Sequence, residues 1–569
     1  MLIFAAYKIL HMHNYSHLTF SEVIPDVVKR FSNYNALRFV GETPITYLEM
    51  GKQIEALKAF VEKLGIKPGD KVVIYSQNMP NWGIVYFALQ CMGIITVPVL
   101  PDFSSHELQN VIQHSESKTI FISKNLEYKL AEIDNELVNT IIRIDTLEII
   151  KGKNNDLVYT PQAFSTTAYT VNENDLSVLL YTSGTTGESK GVMLSQKNII
   201  YNAFQGGKVQ PIIEKENFLS VLPLSHTYEN TLGLILPILF GACVHYLRKP
   251  PTASVLMPAM QMVQPEFMLT VPIIIEKVYK SSILPEIQKK SITKIMHQFA
   301  PTRKLVHKIA GKKLYKKFGG KLKFFGIGGA KLDGVVEQFL RDAKFPYAIG
   351  YGLTETAPLL AGSNPSATKL QAIGPAVVNC EVIINNPDPR TGEGEIWAKG
   401  PNVMLGYYKN IEKTQELLTS DGWFKTGDLG VFDKKGRLSH KGRLNNMIVG
   451  ANGENIYPED IESIINNFKH VIESIVIEQK GKLVAMVHFN REELELKLRE
   501  KTSEFSQIID DKFEEIKSKV DITINELAEE LKNYVNSKVN KYSKIQLLIV
   551  HNEPFNKTAT KKIKKYLYK

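Results

Sequence analysis

The sequence predicts an α/β fold, with a large N-terminal domain of parallel or mixed sheets covered by helices and a smaller α+β C-terminal domain. Short apolar strands alternate with helices from Leu37 to Thr270, a pattern typical of parallel sheets packed between helices. The chain has 569 residues, too many for one hydrophobic core. The sequence changes character near Gly442, where a compact mixed segment begins. We therefore place the domains at residues 1–444 and 445–569.

The predicted elements of the N-terminal domain follow from hydrophobic periodicity. A short β-hairpin is expected after Leu37, and amphipathic spacing predicts a helix over Met50–Lys63. A second helix is expected through Trp82–Met92. Runs of β-branched and aromatic residues predict strands at Lys71–Tyr75, Thr119–Ser123, Leu176–Tyr181, Phe218–Leu222, Val244–Leu247 and Phe267–Thr270.

The C-terminal domain contains a charged helical stretch, Glu492–Asn540, in which apolar residues recur at roughly helical spacing. This pattern predicts a helical insertion over about residues 490–540, in the form of an inserted hairpin. Because no catalytic residue pattern lies inside it, we expect a solvated cap without a chemical role.

Composition excludes several protein classes. Three scattered cysteines, Cys91, Cys243 and Cys380, lack metal-site spacing and indicate neither a disulfide framework nor a zinc site, which fits a reducing cytoplasm. The N-terminus lacks the features of a signal peptide. Two uncharged stretches, Asn81–Pro101 and Thr231–Leu247, are expected to be buried core and not transmembrane helices, because Gly93 and Pro237 interrupt them. Gly93 lies in the first stretch and Pro237 in the second.

A hydroxyl- and glycine-rich turn follows an apolar strand in the stretch Leu179–Val192. Hydroxyl donors, closely approaching backbone N–H groups and the Lys190 ammonium are suited to binding a polyphosphate. A Walker loop is excluded because Lys190 is followed by glycine and another apolar run. The candidate phosphate-binding residues are Thr182, Ser183, Gly184, Thr185, Thr186, Gly187 and Lys190.

Further short motifs follow in a fixed order along the chain. Individually each is modest evidence, since a glycine-punctuated turn or a lysine-rich tail is common. They are Leu222–His226, Phe325–Ala330, Gly350–Thr356, Thr426–Asp428, Gly442-Arg443 and Lys557–Ile563. Their order from about Tyr47 to Lys565 resembles that of the AMP-forming acyl-CoA synthetases of the adenylate-forming superfamily, and most of all the long-chain fatty acid–CoA ligases.

The resemblance implies a role for each motif residue. Catalytic roles fall on His226, in the acyl site, and on Thr354, Glu355 and Lys562. Besides the phosphate-binding residues, the nucleotide is expected to contact Gly329, Ala330, Tyr351, Gly352, Thr354, Asp428, Arg443 and Lys562. Glu355, with Thr182 as a second oxygen ligand, is expected to hold Mg²⁺, a hard cation that prefers oxygen. Asn446 occupies the position of the hinge that makes the C-terminal domain mobile.

This sequence departs from the family pattern at three positions. Ser189 replaces a usual proline of the phosphate loop, which costs stiffness and leaves the donors intact. Lys561 stands where the family has glycine, so the register assigns the catalytic role to Lys562 among several neighbouring lysines. Asn446 replaces the usual Asp or Lys of the hinge, and asparagine tolerates unusual backbone angles well.

The implied reaction activates a medium- or long-chain fatty acid with ATP to an acyl-adenylate and transfers the acyl group to coenzyme A. Two alternatives remain open: transfer to an acyl carrier protein, and an inactive adenylate-binding module. The net charge of +10 raises a third class, the nucleic-acid binders, but no basic motif interleaved with aromatic residues supports it. We therefore expect no nucleic-acid partner.

One basic segment, residues 277–323, contains fourteen Lys or Arg and a single acidic residue, Glu286. Apolar residues between the charges, from Ile292 to Phe318, are spaced as in amphipathic helices with a basic face. An ordinary lysine-rich surface is an equal alternative. We expect a cytoplasmic protein that contacts an anionic membrane peripherally through this segment.

Overall fold

The computed structural model describes residues 15–134, 136–153, 156–183, 189–449, 455–496, 512–558 and 563–568. The chain forms two compact units. The larger unit extends to Thr182 and continues through Ser189–Thr426 and Val431–His440. The smaller unit contains Gly427–Gly430 and the described residues from Lys441 onward.

The strands and helices are numbered in chain order. The strands are β1 (Asn35–Phe39), β2 (Ile45–Thr46), β3 (Lys71–Tyr75), β4 (Ile95–Val99), β5 (Thr119–Ile122), β6 (Thr140–Arg143), β7 (Glu148–Lys151), β8 (Leu176–Ser183), β9 (Ser189–Ser195), β10 (Asn217–Ser220), β11 (Cys243–Tyr246), β12 (Phe267–Thr270), β13 (Phe324–Ile327), β14 (Tyr347–Gly352), β15 (Leu359–Gly362), β16 (Glu381–Asn385), β17 (Gly394–Lys399), β18 (Gly406–Tyr407), β19 (Phe424–Phe432), β20 (Leu438–Arg443), β21 (Ile448–Val449), β22 (Asn455–Ile456), β23 (Val471–Gln479), β24 (Lys482–Phe489) and β25 (Leu547–Val550). The α-helices are α1 (Phe20–Arg30), α2 (Tyr47–Lys63), α3 (Pro80–Cys91), α4 (Ser105–Ser115), α5 (Gln196–Val209), α6 (Thr227–Glu229), α7 (Leu236–Leu239), α8 (Ala253–Val263), α9 (Pro272–Val278), α10 (Leu284–Gln288), α11 (Ser291–Gln298), α12 (Ala300–Lys317), α13 (Gly334–Asp342), α14 (Ile411–Leu417), α15 (Pro458–Asn466) and α16 (Lys512–Lys538).

The first sheet of the larger unit has eight strands in the order β15-β14-β13-β12-β10-β11-β1-β2. Its central strands, from β14 to β1, are parallel, and the two outermost strands are antiparallel to their neighbours. Because ligands bind at the carboxyl ends of parallel strands, the loops after β10, β13 and β14 are the places to look for a site. Those loops contain three of the predicted motifs.

The second sheet of the larger unit also has eight strands, in the order β18-β9-β8-β4-β3-β5-β6-β7. Five of its strands, β8, β4, β3, β5 and β6, pair in parallel. A further four-stranded sheet has the order β16-β17-β19-β20. The parallel sheets packed with helices confirm the predicted fold class of the N-terminal region.

Helix α3 lies in the hydrophobic core and shows why the uncharged stretch around it is not a membrane span. Eleven of its twelve residues are buried, and β4, which follows it, is buried along its whole length. The second stretch is likewise buried, as a π-helical turn (Asn230–Ile235), α7 and β11. Among the described residues, no helix is long and apolar enough to cross a membrane.

The smaller unit is built on the sheet β23-β24-β25, in which β24 and β25 are parallel. A parallel pair needs a crossover connection, and α16 belongs to the chain between these two strands. Val520, Ile524 and Leu531 of α16 are buried in the core of this unit. The expectation of a solvated cap is therefore wrong, because the apolar stripe of the helix completes this core. The first arm of the predicted hairpin lies largely outside the described residues.

Candidate active site

The carboxyl ends of the parallel strands bring several predicted residues together in the larger unit. His226 follows β10, Gly329 and Ala330 follow β13, and Thr354 follows β14. The Thr227 hydroxyl donates a hydrogen bond of 3.4 Å to Oγ1 of Thr354. The loops after two strands of the first sheet therefore meet at the residues for which the sequence predicts catalytic roles.

The backbone of the turn after β14 is tightly constrained. A Cβ atom on Gly352 would lie 1.7 Å from the carbonyl oxygen of Pro358, so a side chain at this position is excluded. The Thr356 hydroxyl donates to that same Pro358 oxygen at 2.6 Å and fixes the turn. Thr354 and Glu355, in the 3₁₀ turn Thr354–Thr356, are held on a rigid scaffold.

The Glu355 carboxylate has an aromatic neighbour that the sequence did not reveal. The Tyr407 hydroxyl donates to Oε1 of Glu355 at 2.8 Å, and the backbone N–H of Met404 donates to the Glu355 carbonyl oxygen at 2.9 Å. The Lys190 ammonium lies 5.8 Å from the centre of the Tyr407 ring, in a cation–π arrangement. Tyr407 thus connects the predicted metal-binding carboxylate with the predicted phosphate-binding lysine.

The phosphate loop is only partly described. Thr182 and Ser183 end β8, and Lys190 lies in β9. Gly184, Thr185, Thr186 and Gly187 lie outside the described residues. The strand that precedes the loop and the strand that follows it agree with the predicted strand–turn–strand arrangement.

His226 caps a helix, which the sequence did not indicate. Its Nδ1 accepts a hydrogen bond of 3.2 Å from the backbone N–H of Tyr228, at the start of α6. An accepting Nδ1 is unprotonated, so this contact favours the tautomer with the proton on Nε2.

The predicted adenine contacts lie on β14 and after β13. Tyr351 is mostly buried, and its ring lies 5.7 Å from the ring of His440. Gly329 has φ of +84°, a conformation that favours glycine, while Ala330 is exposed. At Gly329 the backbone of this turn is not covered by a side chain of its own.

In the smaller unit, Asp428 and Arg443 form an ion pair. The distance between Arg443 Nε and Asp428 Oδ1 is 2.8 Å, and the carboxylate is buried while the guanidinium is about half exposed. The sequence predicted that both residues contact one ribose. The observed pair holds a carboxylate in place whose oxygens can accept hydrogen bonds from sugar hydroxyls.

Asn446, the predicted hinge, lies in a 3₁₀ turn of the smaller unit and donates from Nδ2 to Oε1 of Glu459 at 2.8 Å. Lys562, the predicted catalytic lysine, lies outside the described residues. Its neighbour Lys565 has a structural role: its ammonium lies 2.7 Å from Oε1 of Glu462. Burial lowers the pKa of Lys565, but the Glu462 and Glu459 carboxylates outweigh this and raise it.

An apolar pocket with a cavity volume of about 50 Å³ lies against the first sheet in the larger unit. Its floor is formed by residues of β10, β12, β13 and β14, and its walls by the end of α5 and by the chain from α6 to α7. Gly326 and Gly350 line the floor directly before the two loops that contain Ala330 and Thr354. Tyr228, Leu232 and Leu236 line one wall. The pocket therefore lies against the strands whose following loops contain the predicted catalytic residues.

A fully buried carboxyl group, Glu229, lies next to this wall. Its carboxyl carbon occupies the space beside Gly233, where an added Cβ would lie only 2.6 Å away. Burial raises the pKa of Glu229 to about 8, against smaller lowering contributions from the Ser220 hydroxyl and the Val221 backbone N–H. The side chain is therefore a neutral acid at neutral pH.

Comparison with known proteins agrees with this geometry. The AMP-binding enzyme family matches residues 24–408 of the chain. The chain belongs to this family. The resemblance predicted from the order of the motifs is thereby confirmed.

Several curated members of the family resemble the chain over most of its length. A long-chain-fatty-acid–CoA ligase of Mycobacterium bovis, FadD15, is 27% identical over 467 residues, which is 76% of this chain and 75% of that protein. Fatty acyl-CoA synthetase A of Dictyostelium discoideum is also 27% identical, over 74% of this chain and 68% of its own. The most similar relatives thus include ligases of long-chain fatty acids.

Solved structures of AMP-binding enzymes share the fold. ATP-bound MatB of Rhodopseudomonas palustris has a TM-score of 0.73 at 21% identity, over 96% of this chain and 98% of its own. The o-succinylbenzoate–CoA synthetase MenE of Bacillus subtilis, with its acyl-adenylate intermediate, has a TM-score of 0.72 at 21% identity, over 96% and 97% of the two chains. These likenesses confirm the predicted α/β architecture.

The structure of this AMP-binding enzyme also shows functional candidates that sequence reasoning missed. Tyr407 follows an irregular segment, and nothing in its neighbours signals contact with Glu355, 52 residues away. Tyr228 lies two residues after the motif Leu222–His226, but its position in the pocket wall depends on how α6 lies against the sheet. Among the described residues, no group of three or more His, Cys, Asp or Glu side chains is placed to hold a metal ion.

Proposed function

We propose that this AMP-binding enzyme activates a medium- or long-chain fatty acid with ATP and transfers the acyl group to coenzyme A. The observation that supports this most directly is the apolar pocket, which lies against β13 and β14, the strands that lead into two loops of the predicted adenylate site. A pocket lined almost wholly by apolar residues suits an alkyl chain. The reaction gives acyl-CoA, AMP and pyrophosphate.

The chemistry proceeds in two displacements. A carboxylate oxygen of the acid attacks the α-phosphorus of ATP, and pyrophosphate leaves with the electrons of the broken P–O bond. The thiol sulfur of coenzyme A then attacks the acyl carbonyl carbon, loses its proton, and AMP leaves. The second step is possible because AMP is a far better leaving group than the oxide of a free carboxylate.

We assign the phosphate-binding roles to the loop after β8. Hydroxyl and backbone N–H donors there bind phosphate oxygens, and the Lys190 ammonium adds a positive charge. These residues are Thr182, Ser183, Gly184, Thr185, Thr186, Gly187 and Lys190. Lys562 offsets the charge that develops on the α-phosphate, and one such donor contributes about 3 to 4 kcal/mol.

The donor set also fits magnesium. The Glu355 carboxylate and the Thr182 hydroxyl offer the one or two protein oxygens that Mg²⁺ uses when it shares phosphate oxygens with a nucleotide. Bound there, the ion neutralises phosphate charge. The Tyr407 hydroxyl orients the Glu355 carboxylate through their 2.8 Å hydrogen bond. Thr354 contributes a hydroxyl beside the α-phosphate.

The remaining assignments concern the sugar, the base and the acid. Asp428 and Arg443 bind the ribose. Tyr351 stacks on adenine beside the backbone of Gly352, and Gly329 and Ala330, in the turn after β13, also contact the nucleotide. His226 lies at the start of α6, two residues before Tyr228 of the pocket wall, and we assign it to the acyl site. Residues 445–569 act as a mobile domain that rotates at Asn446 between the two half-reactions.

ATP–pyrophosphate exchange with a panel of carboxylic acids tests the first half-reaction without presuming the acceptor. We expect exchange with medium- or long-chain fatty acids. The enzyme could support exchange but form a thioester only with an acyl carrier protein and not with coenzyme A. That result would support the carrier-loading alternative. Failure of every acid to support exchange would favour a non-catalytic adenylate-binding module.

We further propose that the enzyme is cytoplasmic and contacts an anionic membrane through the helices α11 and α12. The spacing of apolar and basic residues in this segment predicts amphipathic helices with a basic face, and the exposure of the apolar side chains bears on that prediction. Leu314 and Phe318 are buried, but other large apolar side chains of the segment are at least half exposed: Ile292, Ile295, Phe299, Leu305 and Ile309. Exposed apolar groups among lysines are typical of helices that lie on a membrane surface.

The positive charge of this surface favours an anionic bilayer as its partner. Lys304, Lys308 and Lys312 recur at four-residue spacing on α12 and are exposed, next to Leu305 and Ile309. Each lysine near an anionic leaflet contributes about 1 kcal/mol. Fatty acids partition into bilayers, so docking would bring the enzyme to its substrate.

Sedimentation with vesicles tests the docking. We expect binding to phosphatidylcholine vesicles that contain phosphatidylglycerol, and little binding to phosphatidylcholine alone. Replacing Lys304, Lys308 and Lys312 by glutamine should weaken binding by about a hundredfold, since about 3 kcal/mol is lost. The matched control replaces the exposed lysines Lys67, Lys118 and Lys124. Equal losses in both triple variants, or no binding to the anionic vesicles, would contradict the assignment.

A further inference from the structure

Three phenylalanines form a continuous aromatic row across the first sheet. Phe218, Phe267 and Phe324 are direct neighbours on the adjacent strands β10, β12 and β13. The rings of Phe218 and Phe267 stack at 4.6 Å with an angle of 5° between their planes, and those of Phe267 and Phe324 lie 5.9 Å apart. All three side chains line the apolar pocket.

The aromatic row lies at the end of the pocket that is far from the predicted catalytic residues. Phe267 and Phe324 are the first residues of their strands, and Phe218 is the second of its strand. The predicted catalytic residues follow the opposite, carboxyl ends. Since the chain from α6 to α7 returns from the carboxyl end of β10 to the start of β11, Tyr228 lies near the reactive edge and Leu236 near the aromatic row.

Small residues lie between the reactive edge and the row. Alternate residues of a strand share one face, so Phe324 and Gly326 lie on the same side of β13. Gly326 has no side chain, and the side chains of Phe324, Leu269 and Tyr228 close around it, within about 3 Å of where a Cβ would lie. The floor of the pocket ends against the aromatic row.

We propose that Phe218, Phe267 and Phe324 form the far wall of the acyl pocket and limit the length of the acid that the enzyme activates. This inference rests on the proposed function, because it takes the occupant of the pocket to be an alkyl chain. Stacked rings that are packed into the core cannot turn aside singly without losing their neighbours, so the wall is rigid. A longer chain would have to displace it.

Chain-length profiles of variants test the wall. The assay is kcat/KM in ATP–pyrophosphate exchange with saturated unbranched acids of increasing length. Phe267→Ala should shift the optimum to longer acids, with about a fourfold gain for each CH₂ newly accommodated, equivalent to about 0.8 kcal/mol. Gly326→Ala should shift it to shorter acids, because the new Cβ would lie 2.7 Å from Cε1 of Phe324 and 3.1 Å from the Tyr228 hydroxyl and would push these side chains into the pocket.

The matched control is Met268→Ala. Met268 is the next residue on β12, is equally buried, and belongs to the separate core on the opposite face of the sheet. It should leave the length profile unchanged. If Phe267→Ala does not fold, Phe267→Leu keeps most of the packing and should give a smaller shift in the same direction.

The outcomes separate this inference from the proposed function. Unchanged profiles in active Phe267 variants, or an equal shift in Met268→Ala, would overturn the aromatic wall while fatty-acid activation stands. If the wild-type enzyme activates no fatty acid, the proposed function fails and the wall falls with it. A shift to longer acids in the Phe267 variants alone supports the inference.

Discussion

Replacing the buried Glu229 by glutamine should stabilise the enzyme increasingly as the pH rises. Burial raises the pKa of this carboxyl from 4.5 to about 8. Between these values the folded chain keeps a proton that the unfolded chain has lost, so the stability that the proton provides is complete below 4.5 and is lost as the pH rises through about 8. Glutamine has nearly the same shape and does not titrate.

The magnitude follows from the shift. The difference in the free energy of unfolding, variant minus wild type, should grow by about 1.4 kcal/mol per pH unit within this window. From about pH 5 to about pH 7 it should therefore increase by about 2.5 kcal/mol. Urea unfolding of both proteins at several pH values measures it, with the exposed Glu132→Gln as the control. A difference that stays constant from about pH 5 to about pH 8 would refute a neutral Glu229.

Three further predictions concern the smaller unit. Lys562→Ala should slow acyl-adenylate formation about a hundredfold and leave thioester formation from preformed adenylate nearly intact. The reason is that the lysine stabilises charge in only one of the two steps. Equal losses in both half-reactions would contradict this role. Asn446→Pro should block one half-reaction and spare the other by fixing the hinge backbone, and normal rates in both would exclude it as the hinge. Glu462→Gln should lower the free energy of unfolding by about 2 kcal/mol, since it removes the nearer of the two carboxylates beside the partly buried Lys565 ammonium and leaves Glu459, whereas exposed Glu478→Gln should change urea unfolding little.

Local patterns were sufficient to predict many elements. Strand β3 and strand β12 coincide with the predicted Lys71–Tyr75 and Phe267–Thr270, because short β-branched or aromatic runs between breakers have few alternatives. Helix α2 begins three residues before the predicted Met50. Thr46 and Glu49 form a capping box there, a local signal that periodicity alone does not include.

The candidate site was predictable where its residues lie within motifs, and not where distant segments meet. Gly352 and Thr354 are neighbours in sequence, so their turn could be read from it. The contact between Tyr407 and Glu355 joins segments 52 residues apart. The burial of Glu229 could not be predicted either, because the sequence does not show which side of a helix packs against a sheet.

The apolar pocket explains why the register of the sheet matters for specificity. Phe218, Phe267 and Phe324 are separated by tens of residues, and they form one wall only because three parallel strands are aligned without a shift. A slip of one residue would turn each ring to the other face and replace it by Leu219, Met268 or Phe325. The same alignment brings the loops after these strands to one edge. The length limit of the pocket and the position of its reactive end are thus set by a single structural feature, the pairing of the parallel strands.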